Sequence, residues 1–248
     1  MKYIDVQKIF FQHFHRKYHR FTRELFAQLI CLNENIKSAY LFDLFPCSIE
    51  KMRNLLTDLS SYLPFRSILL KYSINDLIIF NASHLSRLID TSTTVLSIDL
   101  NTMTTTECHP MLDEIRNHLI WIDHRKNKQL DFDNETNDEW SNLIQSLNHT
   151  TIFGYLLDYP LIYYYSSTSL TNVTTLKNFR LYVQINDFDE EILLYSFSYP
   201  IHYNIDDKQI ESVVNQWFSS LSLKIKSSDE IKHSHLEQQI REQTTWCL

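Results

Sequence analysis

The chain has 248 residues, of which 44% are hydrophobic and 21% charged, with a formal net charge of −7. These shares are ordinary for a globular protein and exclude wholesale disorder, and the length supplies a core that needs no disulfide or metal staple. The acidic balance argues against non-specific binding to nucleic-acid phosphates, whose affinity rests on Lys and Arg, and its firm consequence is solubility.

The opening residues lack the unbroken apolar core and small-residue cleavage site of a secretory signal. Residues 3 to 32 read as one long helix, because Phe10, Phe14, Tyr18, Phe21, Leu25 and Leu29 recur at three- and four-residue steps. Arg16, Arg20 and Arg23 fall at i, i+4 and i+7 on another face, with His13 and Lys17 beside them. Such a basic stripe fits an anionic partner, and a solvated helix face is the plainer account of it. His15 and His19 are also four apart, a metal-compatible spacing without a third ligand.

Residues 39 to 43 then form a strand-type run that ends in Asp43. Ser48 caps a second predicted helix, Lys51 to Leu63, which Pro64 stops. Ser67 to Tyr72 and Leu77 to Phe80 read as paired strands, joined by turn residues without glycine. Val95 to Asp99 is a further strand, followed by a Thr-rich loop. Pro110 opens a helix at the position where its missing N–H costs nothing, with Met111, Ile115, Leu119 and Ile122 along its apolar face.

A polar insertion over 123 to 139 precedes a helical region from Trp140 to Leu157. After Pro160 the segments Leu161 to Tyr165, Phe179 to Ile185 and Ile192 to Phe197 carry the aromatic and β-branched residues of strands. Ile210, Val213, Val214, Trp217, Phe218 and Leu221 stripe a last amphipathic helix. The predicted fold is α/β (or α+β): a single mixed β-sheet flanked by helices, with the long N-terminal helix and the C-terminal amphipathic helix. Residues 1–226 are expected to form a single globular domain and residues 227–248 a polar, poorly ordered tail.

Several chemistries are excluded by one count. The chain has a single glycine, Gly154, where average usage gives about 17. One glycine builds neither a phosphate loop, nor a dinucleotide fingerprint, nor a Gly-x-Ser-x-Gly elbow. The loop Asp131 to Thr136 fails as a calcium site, since Thr136 stands where glycine is required and Asn142 where glutamate is. Cys31, Cys47, Cys108 and Cys247 show no metal or disulfide spacing and read as free thiols of a reducing compartment. The four Asn-X-Ser/Thr sequons, at Asn81, Asn134, Asn148 and Asn172, read as chance in an Asn- and Thr-rich chain. The tyrosine-rich runs at 163–165 and 195–199 lack neighbouring cations and read as strand packing rather than base-stacking platforms.

The catalytic candidates are Asp43 and Asp99, because each closes an apolar strand and ligands gather outside strand carboxyl ends in open α/β sheets. Two converging carboxylates would bind a divalent metal or act as a general base, and turn capping is the plainer role. His109, before Pro110, is a weaker base candidate, with local hydrogen bonding the plainer account. Gly154 sits within a helical pattern, which implies close packing on a neighbour, and Asp158 before Tyr159 and Pro160 occupies the helix-ending, left-handed position.

The segment Thr151-Ile-Phe-Gly-Tyr-Leu-Leu-Asp-Tyr-Pro160 resembles an uncharacterised eukaryotic family typified by the human chromosome 1 open reading frame 74 protein. The resemblance extends to Leu193–Ser198 with Pro200, and to Tyr40–Asp43, Val95–Asp99 and His109-Pro110, in the same order. Asp158 departs from the family's glycine. The resemblance implies an α/β fold and carries over no catalytic residue, so Gly154 and Pro160 are taken as structural.

Taken together, the sequence favours a non-catalytic interaction or scaffold domain, with a metal-dependent or acid/base enzyme using Asp43 and Asp99 as the alternative. It assigns no cofactor and no metal. It disfavours nucleic acid and a membrane crossing, leaves a protein partner open, and places the chain in the cytoplasm, with the nucleus also open.

Overall fold

The computed structural model describes residues 3–71, 77–84, 95–100, 102–106, 110–126, 149–164, 175–202 and 204–242. The fold is mixed α/β. The expected single N-terminal helix is two helices, α1 (Tyr3–His13) and α2 (Thr22–Asn33), separated by a 3₁₀ turn, Arg16–Phe21. His15 causes the break: it is extended, with ψ of 146°, and its side chain accepts a hydrogen bond from the Lys17 amide. The kink gathers Phe14, Tyr18 and Phe21 around Phe45, with ring centroids 5.0, 4.2 and 5.7 Å from it. A continuous helix would spread those rings along one stripe, so aromatic packing overrides the helical period.

Three antiparallel strands follow: β1 (Ala39–Phe42), β2 (Ser67–Lys71) and β3 (Leu77–Asn81), in the order β1-β3-β2. Helix α3 (Ile49–Asp58) lies between β1 and β2 in the chain, and the Ser48 side chain caps it, as expected. All five β3 residues are buried because both faces of this sheet are covered. Tyr40, Phe42, Leu69, Leu77 and Ile79 face the cluster built by α1, α2 and α3. Ile68, Leu70, Ile78 and Phe80 face Leu112, Ile115 and Leu119 of α4 (Pro110–Lys126) and Ile152 and Leu156 of α5 (His149–Leu156).

The second sheet has the order β5-β4-β6, from β4 (Leu96–Asp99), β5 (Thr104–Thr106) and β6 (Leu161–Tyr164). Its β4–β6 pair is parallel, so the architecture is mixed. The third sheet, β8-β7-β9, is antiparallel and contains β7 (Thr175–Ile185), β8 (Ile192–Pro200) and β9 (Ile231–Glu242). Helix α6 (Asp207–Lys226) packs Ile210 and Val214 on the cluster shared by the second and third sheets, and Leu221 and Ile225 on the α1–α3 cluster.

Two expectations need correction here. The described strands form three three-stranded sheets rather than a single one; hydrophobic pattern marks a strand but not the partner it chooses. The stretch 227–248 reads in the sequence as a polar, poorly ordered tail, yet residues 231–242 pair with β7 along its whole length. Its polarity reflects a half-solvated sheet: Ile231 is buried and Leu236 packs inward, while Glu237 lies opposite Arg180 and His235 stacks on Tyr182 at 5.1 Å.

Candidate functional site

The kink after α1 and the β7–β8 hairpin together enclose a cleft of about 310 Å³, lined by Arg20, Arg23, Glu24, Phe188, Glu190, Glu191, Ile192 and Leu193. The end of the 3₁₀ turn supplies Arg20 and the first turn of α2 supplies Arg23 and Glu24. The Arg20 guanidinium rests on the Phe21 ring, 4.6 Å from its centroid, and that of Arg23 on Phe188 at 5.7 Å. Arg23 also meets Glu190 at 3.5 Å, and both side chains are exposed, so this pair contributes little to stability. No carboxylate among the described residues pairs with Arg20. On the hairpin side one oxygen of Glu191 takes hydrogen bonds from His233 at 3.0 Å and His235 at 2.8 Å.

Arg20 and Arg23 therefore line one cleft, and Arg16 is not part of its lining. The kink is what separates it. The His15 and His19 rings are engaged elsewhere: His15 caps the 3₁₀ turn, and His19 contacts the Phe14 carbonyl and stacks on Phe11 at 3.6 Å. Among the described residues no group of three His, Cys, Asp or Glu is arranged to hold a metal ion.

Asp43 follows β1 and Asp99 is the last residue of β4, strands of different sheets. Asp99 accepts a hydrogen bond from the Thr102 amide at 3.4 Å, the turn role of an aspartate. The electrostatic neighbours of Asp43 include Glu24, Tyr40 and Tyr159. The carboxyl of Glu24 is raised above its ordinary value, first by burial and then by the Asp43 charge. Asp43 thus neighbours a carboxylate of α2 at the cleft, Glu24.

Behind the cleft lies a group that sequence reasoning missed. Gln28, one turn on from Glu24, donates to the Leu193 carbonyl at 3.4 Å and accepts from Lys37 at 2.9 Å. Lys37 is 5% exposed, donates also to the Leu194 carbonyl at 3.1 Å, and lies over the Tyr195 ring at 4.7 Å and the Tyr40 ring at 5.6 Å. Burial lowers its pKa to about 8. Its one signal in the sequence is a lysine between Ile36 and the apolar run from Ala39.

A second buried polar group joins Ser38, His84 and Asp158. The Ser38 hydroxyl lies 3.2 Å from the His84 ring and 3.4 Å from the Asp158 carboxylate. The hydroxyl touches both partners itself, and the group ties the residue before β1 to the end of α5. Asp158 is left-handed, with φ of 62°, and its carbonyl accepts from the Trp217 indole at 3.0 Å. A Cβ on Gly154 would lie 2.6 Å from Cγ2 of Ile162 in β6. The Pro160 carbonyl accepts from the Leu96 amide at 3.2 Å, where the parallel pairing begins. His109 and the 131–136 loop lie outside the described residues.

A family model described as a domain of unknown function, DUF4504, matches residues 8–248, and the chain belongs to that family. No curated protein and no solved structure matches it. Among the described residues no helix is long and apolar enough to cross a membrane, and Cys31 and Cys47 are free thiols.

Proposed function

We propose that this DUF4504 member is a non-catalytic binding module whose cleft takes a small partner group bearing a carboxylate, sulfate or phosphate. The observation that carries this reading is the convergence of Arg20 and Arg23 on one cleft, each guanidinium lying against an aromatic ring. Ring contacts hold the planar forks in place, so less side-chain entropy is lost when an oxyanion binds. The cytoplasmic location and the narrower kinship with the human chromosome 1 open reading frame 74 protein are parts of the same proposal. The first is supported by the free thiols and the second by Thr151–Pro160.

Sulfate, whose charge is constant from pH 5 to 9, is the probe. Calorimetric or NMR titration is expected to show salt-sensitive binding that weakens about tenfold or more in Arg20→Gln/Arg23→Gln, the loss of a charge-assisted contact or two. Affinity unchanged in the double variant rejects the reading.

An acid/base enzyme is the second reading, now with Asp43 beside Glu24 rather than Asp99. Glu24 lines the cleft and its carboxyl is raised, as a general acid requires. Side-chain NMR titration is expected to find Glu24 above its ordinary pKa in the wild type and lower in Asp43→Asn. A Glu24 pKa that Asp43→Asn leaves in place removes this reading.

A further inference from the structure

We propose that Lys37 is a carbonyl-binding lysine, whose amine forms a reversible imine with a small aldehyde or ketone. The inference goes beyond the anion cleft and stands on different atoms. It starts from the tetrahedral nitrogen. One of its four positions is the bond to Cε, and two N–H bonds point to neutral acceptors, Gln28 Oε1 at 2.9 Å and the Leu194 carbonyl at 3.1 Å. One position remains, which holds a third proton in the ammonium and the lone pair in the amine. Among the described residues no carboxylate pairs with Lys37 to favour the ammonium, and its burial draws the pKa down to about 8. The aromatic faces of Tyr195 and Tyr40 lie beside it at 4.7 and 5.6 Å, and the Cys31 thiol is a further electrostatic neighbour.

A second observation points to a ligand here. The Tyr40 hydroxyl, on a ring beside Lys37, is buried and has no hydrogen-bond partner among the described residues. A buried hydroxyl left unpaired is costly, and a carbonyl or carbinolamine oxygen is the acceptor it lacks. A lysine acting as a strut between Gln28 and Leu194 accounts for the two hydrogen bonds but not for Tyr40. The chemistry balances without an oxidant. The amine nitrogen attacks the carbonyl carbon, and one N–H proton moves to oxygen to give the carbinolamine. The C–O bond then breaks, and the oxygen leaves as water with the second proton from nitrogen, forming C=N. Gln28 links this nitrogen to the cleft, since its amide reaches the Leu193 carbonyl.

The test is reductive trapping of the full chain at pH 8 with limiting glyoxylate and cyanoborohydride, read by peptide mapping. With a pKa of about 8, about half of the Lys37 amine is free at that pH, against under ~1% for an ordinary lysine. Lys37 is therefore expected to be carboxymethylated at least ~10-fold faster than the other lysines, and faster in the folded chain than in urea. Lys37→Arg is expected to lose that adduct alone. Labelling confined to other lysines, or a Lys37 rate lower in the folded chain than in urea, overturns the proposal, as it would if Tyr40 and Lys37 held only a buried water. Sulfate titration of the same sample separates this result from the cleft: intact sulfate binding without a Lys37 adduct removes the imine and leaves the anion reading standing.

Discussion

A methyl group added at residue 154 meets the branch of Ile162: its carbon would lie 2.6 Å from Cγ2 and 3.3 Å from Cβ of that residue. Neither atom is the end of a flexible chain, so α5 or β6 must move. Gly154→Ala is expected to destabilise by ~1–3 kcal/mol, the cost of overpacking, despite the higher helix propensity of alanine. Asp158→Gly works the other way. It relieves a left-handed backbone worth roughly 1 kcal/mol and forfeits the side-chain contacts of Asp158, among them a long hydrogen bond from Ser38 at 3.4 Å. Its net effect is expected within about 0.5 kcal/mol of zero. Urea melts of the two variants decide: equal shifts would contradict the steric role of Gly154. Both roles were legible in the sequence, because a lone glycine in a helical pattern and an aspartate before Tyr-Pro are local signals. Lys37 was not, since its meaning depends on Gln28 and Leu194, nine residues before it and 157 after.

At the scale of elements, strands with apolar residues announced themselves, as did helices with caps: Ser48 begins α3 and Pro110 begins α4 as expected. What composition hid was β9, whose residues are mostly polar because the sheet presents one face to solvent. Its order comes from its partner: β7 runs beside it from Thr175 to Ile185, and Ile231 and Leu236 join the clusters beneath. A chain ending at Ser228 loses that pairing and the burial of Ile231, itself worth roughly 2–3 kcal/mol. The truncation is expected to lower stability by at least about 4 kcal/mol, or roughly 8–16 °C in Tm for a chain of this size. An unchanged melt would restore the reading of this segment as a poorly ordered tail. The cleft was hidden for a related reason. Arg20 and Arg23 were visible as a pair, but their wall comes from a hairpin more than 160 residues away, and the kink at His15 that removes Arg16 is set by packing on Phe45.

For the whole molecule, the buried titratable groups set opposing pH dependences, and their balance is calculable in sign. Lys37 has its folded pKa lowered to about 8, below the ordinary 10.5. The folded state therefore releases this proton first, and stability rises by about 1.4 kcal/mol per pH unit between those values. The thiols of Cys31 and Cys47 are raised by burial to about 12 and 11 from 9.0. Their contribution is full below pH 9 and is lost above it at a combined ~3 kcal/mol per unit. Tyr159, raised to about 12, and Tyr40, Tyr163 and Tyr199, raised further, add to the loss above pH 10. The sum predicts a stability maximum near pH 9, followed by a fall that steepens past pH 10. Lys37→Met removes the rising limb, so its curve is expected to be flat to pH 9 and then to fall, whatever the variant costs at neutral pH. Urea melts with reductant from pH 7 to 11 measure both curves. A wild type that shows no rise between pH 8 and 9, or a variant that keeps one, would mean that Lys37 does not titrate below its ordinary range in the folded chain.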